Sequence, residues 1–385
     1  MLSEVLTELL RHDVRLVSGV PCSILEPLQA RLEQQSGTRY LPASVEGEAI
    51  ALACGAWLAG GRALVLLQNS GLGNAVNPLV SLALPYRIPL VMVVSWRAQP
   101  GSSDAAHHLP MGEITPAMLD LLGVAQRVLG TRSLGEDFAW ALAHAEAERK
   151  PVALIAPRGA FGKAAPRSVS EAAPARQHEP RQPRYFGTSA AAPATRRALR
   201  DAWLTAFPRA RAVASTGYMA RDLAELERHD LCFPMQGSMG FAAALALGMR
   251  VTRPGGKLCV LDGDGALWMR LGTLGTIGSA APDAFAHIVA DNGCYASTGG
   301  QPAPTAHFDF SRVALALGYA HAAECLSAEA LPAALAWLSA CHAGPAFLRC
   351  RIAPDVGGAG ERPGLAPAEL AARFRAAARA SEERS

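Results

Sequence analysis

Apolar runs of strand length alternate with Ala- and Leu-rich segments of helical character along almost the whole chain. Ala63-Leu64-Val65-Leu66-Leu67, Leu90 to Val94, Leu258-Cys259-Val260-Leu261 and Ala286 to Ala290 are the clearest strand candidates. Continuous apolar strands spaced by helices are the pattern of a parallel sheet covered on both faces, because a strand buried on both sides has no polar face to alternate with. The alternation breaks once. From Lys163 to Arg184 the chain is rich in Pro, Ala, Arg, Ser and Gln and has no hydrophobic period, which reads as a linker. The expectation is two α/β domains, each a doubly wound parallel sheet, over residues 1–163 and 191–385 with a linker over 164–190. At 385 residues, half of them hydrophobic, the chain can build two sizeable cores.

A weak echo relates the two parts. Gly60-Gly61-Arg62 leads into the Ala63 strand and then Asn69-Ser70-Gly71, while Gly255-Gly256-Lys257 leads into the Leu258 strand and then Gly263-Asp264-Gly265. A small-residue helix, Ala49 to Leu58 or Ala242 to Met249, precedes each glycine pair. Convergent helix-turn-strand grammar and ancestral duplication both account for this, and both imply that the halves share one topology.

Composition excludes several function classes. The formal net charge is +3 with 18% charged residues, and no basic runs or interleaved aromatics mark a nucleic-acid surface. Eight cysteines lie far apart with no C-x-x-C pair, as expected of free thiols in a reducing cytosol. Met1 to Arg11 carries Glu4 and Glu8 within its apolar pattern, and no apolar run approaches membrane-spanning length. A soluble, cytoplasmic protein with no membrane partner is expected.

Chemistry enters at the strand ends. Gly263-Asp264-Gly265 closes one apolar run and Asn292 follows the next. Two parallel strands joined by a crossover helix would present Asp264 and Asn292 side by side at the sheet edge where α/β folds bind ligands. A carboxylate, an amide oxygen and glycines that admit close backbone approach suit a hard cation holding a phosphorylated ligand. Two ordinary glycine-rich turns are the alternative. Thr216-Gly217-Tyr218 and Gly237-Ser238-Met239-Gly240-Phe241 stand before helical segments, where backbone N–H groups meet phosphate, and plain turn chemistry would also place them there.

Together these segments resemble the diphosphate-binding domain of thiamine-diphosphate decarboxylases. The resemblance implies two doubly wound α/β domains, a pyrimidine-binding one over 1–163 and a diphosphate-binding one over 191–385, with no central third domain. It implies that Asp264, the Asn292 side chain and the Cys294 carbonyl coordinate Mg²⁺. Thr216, Gly217, Gly263, Gly265 and Ala266 would line the diphosphate. Met239 would hold the cofactor in its bent form, and Gly237, next to Ser238, would offer its carbonyl to the pyrimidine amino group. Relatives often carry Asn before the ligand Asn, and here that residue is Asp291.

Val45-Glu46-Gly47-Glu48 opens a small-residue helix, where a lone Glu is ordinarily explained by the helix dipole. By the resemblance, Glu46, and not Glu48, hydrogen-bonds the pyrimidine ring and so activates the cofactor from a dry cleft. Family members place these two elements on opposite subunits, which implies a homodimer or a higher homo-oligomer with sites between subunits.

The string Asn69-Ser70-Gly71-Leu72-Gly73-Asn74, the turn Gly19-Val20-Pro21-Cys22-Ser23, Ser95-Trp96-Arg97 and Ser297-Thr298-Gly299-Gly300-Gln301 narrow the resemblance to the phosphonopyruvate decarboxylase family, close to sulfopyruvate decarboxylases. The implied reaction takes 3-phosphonopyruvate to phosphonoacetaldehyde and CO₂ in phosphonate and antibiotic biosynthesis. The implied substrate side comprises Cys22, Ser23, Asn69, Ser70 and Arg97, with Arg97 suited to bidentate contact with a small anionic 2-oxoacid. His107 and His108 match the paired histidines of pyruvate decarboxylases and are candidates for proton transfer. Thr298 falls about where those enzymes have a catalytic Glu. Sulfopyruvate decarboxylation and carboligation are the alternatives within the family; a non-catalytic Mg²⁺ and nucleotide-binding module is the alternative outside it.

Overall fold

The computed structural model describes residues 2–163, 181–305, 307–355, 358 and 360–380. Most of the expected linker, 164–180, lies outside the described residues. Within its remainder, Arg184–Phe186 forms a strand, so the second sheet begins earlier in the chain than residue 191.

The first sheet has six parallel strands: β1 (Val14–Gly19), β2 (Arg39–Pro42), β3 (Arg62–Gln68), β4 (Leu90–Ser95), β5 (Ala125–Val128) and β6 (Pro151–Ala156), in the order β2-β1-β3-β4-β6-β5. The second has seven: β7 (Arg184–Phe186), β8 (Arg211–Ala214), β9 (Cys232–Pro234), β10 (Leu258–Gly263), β11 (Phe285–Asp291) and, after a small antiparallel hairpin of β12 (Cys294–Tyr295) and β13 (Gln301–Pro302), β14 (His321–Cys325) and β15 (Pro345–Arg351). Its order, read from the β9 edge, is β9-β8-β10-β11-β15-β14-β7, which repeats the connectivity of the first sheet and adds one edge strand. The shared topology expected from the sequence echo is present. β4, β6 and β11 are buried at every position, as continuous apolar strands between two helical layers must be.

The two sheets do not keep separate cores. One hydrophobic cluster runs from the inner face of the first sheet, through helix Glu46–Leu58 and helix Ala242–Thr252, to the inner face of the second, and each sheet has a further cluster on its outer face. Every residue of helix Glu46–Leu58 is buried, which its all-round apolar and small composition permits. The two helices cross at glycines. A Cβ on Gly55 would stand 1.9 Å from the Leu245 carbonyl oxygen, and one on Gly248 would stand 2.0 Å from that of Leu52. Helix Pro367–Ala380 braces the junction, Arg375 donating to the carbonyls of Trp57 and Gly60. Among the described residues no helix is long and apolar enough to cross a membrane, and the eight cysteines are all free.

Candidate active site

In each sheet the chain order reverses beside an early strand, between β1 and β3 and between β8 and β10, and the crevice outside the carboxyl ends of such strands is where open α/β sheets take ligands. The loops after β8, β10 and β11 line one pocket there. Of the expected cofactor and metal residues, it is lined by Thr216, Gly217, Met239, Gly263, Asp264, Gly265, Ala266, Asn292 and Cys294. Gly237 and Ser238 are not part of its lining. They meet the first half instead: Ser238 N donates to Ser81 Oγ at 3.1 Å, and a Cβ on Gly237 would stand 2.6 Å from the Ser81 carbonyl oxygen.

The backbone of this pocket is built for close approach. Gly217 has φ +106°, a conformation that side-chain-bearing residues rarely adopt, and open space surrounds the position a Cβ would take on Gly263. Asp264 opens a short helix directly after β10, with 3% of its surface exposed. Burial, then the neighbouring Asp291 carboxylate, pushes its pKa up to about 7. Thr305 Oγ1 donates to Asp264 Oδ2 at 3.1 Å. Asn292 Oδ1 accepts from Cys294 N at 3.0 Å in an Asx turn, which leaves that oxygen a second lone pair.

These residues fit a divalent cation carrying a diphosphate. A buried carboxylate crowded by a second one lacks a counter-charge that Mg²⁺ would supply, and Ser215 Oγ, lining the same pocket, is buried without a partner. Among the described residues no group of three His, Cys, Asp or Glu side chains is placed to hold a metal. One carboxylate, one amide oxygen and one carbonyl would leave the other positions to phosphate and water oxygens, as Mg²⁺ prefers. Asp291, the departure from the family pattern, accepts from Arg349 Nε at 2.6 Å, and Arg349 Nη1 also donates to Glu324 at 2.8 Å. Its charge is therefore held by a fixed cation outside the pocket lining.

Glu46 is the first residue of its helix and is 8% exposed. Its Oε2 accepts from Asn74 Nδ2 at 2.8 Å, and a Cβ on Gly71 would strike the carboxylate at 1.9 Å. The Asn69 to Asn74 string, expected at the substrate, thus also shapes the seat of the Glu46 carboxylate. Glu48 is structural: its Oε2 accepts from Ser44 N at 2.5 Å and Oγ at 2.6 Å, and from Thr276 Oγ1 of the second half at 3.2 Å.

At the switch point of the first sheet, several expected substrate residues are tied together. Cys22 Sγ lies 3.2 Å from Ser95 Oγ and 3.3 Å from Gln68 Oε1, and Gln68 in turn donates to Ser70. Fully buried Asn69 accepts from Arg97 N at 3.2 Å and donates to the Arg97 carbonyl at 3.0 Å, which fixes the Ser95-Trp96-Arg97 loop. The Arg97 guanidinium is paired with Asp104, Nε to Oδ2 at 2.7 Å and Nη2 to Oδ1 at 2.5 Å. That pair raises the Arg97 pKa and holds the Asp104 carboxyl well below the usual range. His107 and His108 sit ring to ring at 4.0 Å, His107 exposed and His108 buried with Nδ1 unpartnered. Desolvation, then Arg97, then His107 lower the His108 pKa. Ser23 is exposed. Ser215, Thr305, Arg349 and Asp104 are the functional candidates that the sequence reading missed, and Asn74 stood in its quoted string without a role of its own. Each is an ordinary polar residue whose neighbour is supplied only by the fold.

Residues 1–119 match the thiamine pyrophosphate enzyme N-terminal TPP binding domain, and residues 215–350 match its C-terminal TPP binding domain. Among solved structures, a thiamine diphosphate-dependent 4-hydroxybenzoylformate decarboxylase from Rhodococcus jostii superposes with a TM-score of 0.70 at 17% identity, covering 92% of this chain and 99% of that one. A phosphonopyruvate decarboxylase of Streptomyces viridochromogenes is 42% identical over 369 residues, 94% of this chain and 91% of that protein. One from Streptomyces hygroscopicus is 39% identical over 378 residues, 97% and 92% respectively. A sulfopyruvate decarboxylase of Methanosarcina acetivorans is more distant, 28% identical over 75% of this chain and 74% of its own length. With both cofactor domains matched and identity of this degree sustained over nearly the full length, the chain belongs to the phosphonopyruvate decarboxylase family of thiamine-diphosphate enzymes.

Proposed function

We propose that this protein decarboxylates 3-phosphonopyruvate to phosphonoacetaldehyde and CO₂, using thiamine diphosphate and Mg²⁺. The observation that carries the reading is buried Asp264 beside Asn292 at the glycine-rimmed switch point of the second sheet, in a chain whose near-full-length relatives are named for this activity. Asp264, Asn292 and the Cys294 carbonyl would hold Mg²⁺. Thr216, Gly217, Gly265 and Ala266 would receive the diphosphate, and Met239 would support the cofactor's bend. When bound, thiamine diphosphate supplies a nucleophilic carbon and a sink for the electron pair that departing CO₂ leaves behind. Glu46, its carboxyl oriented by Asn74 and shielded from water, would meet the pyrimidine ring.

Within one chain the diphosphate pocket is lined entirely by the second half, and Glu46 is not among its residues. The reading therefore takes Glu46 from a second copy, so the working unit is at least a homodimer. Exposed Leu109, Ile114 and Leu121 on helix Leu109–Leu121 support such an association. The cluster around Cys22, Ser95, Arg97 and His108 would receive the substrate's carboxylate and phosphonate. Sulfopyruvate, which presents a sulfonate in place of the phosphonate, is the second reading, favoured by the Methanosarcina relative. The reading places the enzyme in the cytoplasm, in phosphonate antibiotic biosynthesis, with residues 1–163 as the pyrimidine-binding domain and the second half, from strand Arg184–Phe186 onward, as the diphosphate-binding domain.

A CO₂-release assay over phosphonopyruvate, sulfopyruvate and pyruvate, with thiamine diphosphate and Mg²⁺ present, tests the reading. Phosphonopyruvate should be turned over fastest, with free aldehyde as the product. Glu46→Gln should lower the rate by roughly 10²-fold or more while cofactor binding persists. A protein that bound no thiamine diphosphate and released no CO₂ from phosphonopyruvate would end the proposal, and a new carbon-carbon bond in the product would redirect it to carboligation.

A further inference from the structure

At the edge of the second sheet opposite the candidate active site, where β8 and β10 begin, residues of both halves line an open cavity of about 550 Å³. Arg15, Arg209, Arg211, Arg250, Arg253 and Lys257 line it, and among the described residues no Asp or Glu does. The volume lies within the range of small-molecule sites. Six cations around one cavity give it a positive potential that attracts anions.

Some of these cations have structural work. Arg250 is 7% exposed and donates to the carbonyls of Gly255 and Gly256 at 2.6 Å, which secures the turn into β10, and Lys257 donates to the Cys341 carbonyl. Arg253 donates to the Ala378 carbonyl, and Arg15 pairs with Asp13 at 2.8 Å. Arg250 and Arg253 also stand at the end of helix Ala242–Thr252, where positive charge suits the helix dipole. Arg209 and Arg211 are different. They come from another element, and among the described residues neither reaches a carboxylate at ion-pair distance. Arg211 Nη1 is buried without a hydrogen-bond partner, as is Arg250 Nε. Leu231, Met249 and Leu258 supply an apolar part of the remaining wall, and Thr252 and the Gly255-Gly256 turn a polar part.

We propose that this cavity binds a small organic diphosphate of nucleoside diphosphate size, its phosphates on Arg209 and Arg211 and its organic part against Leu231, Met249 and Leu258. Guanidinium groups match phosphate oxygens in a two-point fork, and the Arg211 guanidinium, its Nη1 desolvated and unpartnered, is positioned by the Phe374 ring 5.3 Å away. Both glycine-crossed helices, Glu46–Leu58 and Ala242–Thr252, start near active-site residues and end here, Ala59, Met249 and Thr252 being part of the cavity wall. A ligand in this cavity therefore touches the far ends of the two elements that carry Glu46 and follow Met239.

Calorimetric titration of ADP into the protein saturated with thiamine diphosphate and Mg²⁺ separates this cavity from the cofactor site. One saturable site per chain is expected. The Arg209→Ala, Arg211→Ala double variant should weaken binding by about tenfold or more, with the melting temperature recorded alongside. Arg209 is exposed, so Arg209→Ala alone keeps the fold and should still weaken binding severalfold. Absence of saturable ADP binding, or binding unchanged in both variants, overturns the proposal. Inorganic pyrophosphate binding as tightly as ADP would overturn the assignment of the apolar wall to an organic group.

Discussion

Arg97 grips Asp104 by two nitrogens, Nε and Nη2, while Asn69 holds the backbone of the same arginine at both its N–H and its carbonyl. The guanidinium is fixed before any substrate arrives, and its remaining N–H groups are the ones left to meet an anion. Arg97→Lys keeps the charge but loses the fork. We expect KM for the 2-oxoacid to rise by about tenfold with kcat less affected, because one charge-assisted contact is lost. Asp104→Asn should move KM in the same direction by less, since it loosens the arginine without removing it. Steady-state kinetics on both variants decide the matter, and an unchanged KM in Arg97→Lys would remove Arg97 from the substrate site.

His108 should be neutral at neutral pH, being held below the ordinary imidazole range by desolvation, by Arg97 and by His107. If neutral His108 is the active form, the acid limb of kcat/KM lies below the usual imidazole value. Arg97→Ala should move that limb to higher pH, since a repelling charge leaves while Asp104 stays. The stability sign follows from proton counts. Below about pH 6.5 the unfolded chain protonates this histidine and the native state resists, so acid weakens the fold. Between pH 7.5 and 5.5 the melting temperature of the parent should fall more than that of His108→Gln, and equal slopes would refute the assignment.

Asp264 is costly to the cofactor-free protein, because its carboxylate is buried and crowded by Asp291. Asp264→Asn removes that crowding and keeps the shape. The melting temperature without Mg²⁺ should stay level or rise, while Mg²⁺-dependent thiamine diphosphate affinity should fall by roughly tenfold or more with the loss of a charged ligand. Cofactor titration by calorimetry, with and without Mg²⁺, gives the answer. A variant that binds cofactor as well as the parent would show that Asp264 is not a metal ligand.

Gly55 and Gly248 let two helices from different halves touch backbone to backbone, and the obstacle to a Cβ at either position is a carbonyl oxygen, not a movable side chain. Gly55→Ala and Gly248→Ala should each destabilise the protein by about 1–3 kcal/mol or more, despite the better helix propensity of alanine. Urea unfolding measures this. Neutral or stabilising values would mean that the helices separate without cost and that the shared core is not the main tie between the halves.

Much of this fold was legible in the sequence because strand and helix periodicity are local. The apolar run of β10 and its Gly263-Asp264-Gly265 ending, like the run of β11 and its Asn292, could be placed at one sheet edge from connectivity alone. The repeated strand order behind the Gly60-Gly61 and Gly255-Gly256 echo is of the same kind. The expected two cores proved to include one shared core, because an alanine-rich helix such as Glu46–Leu58 reads the same whether it covers its own sheet or also meets a second helix.

By itself, then, the sequence determined the parallel α/β class, the strand-end position of Asp264 and Asn292, and the family. Only the tertiary structure decided that Gly71 and Asn74 seat Glu46, that Asp104 fixes Arg97, that Arg349 holds Asp291, and that six cations converge at the far edge of the second sheet. The reason is physical. Hydrophobic periodicity records which face of an element is buried, whereas the partner of a polar side chain depends on which distant elements become neighbours, and that is settled by strand order and helix packing.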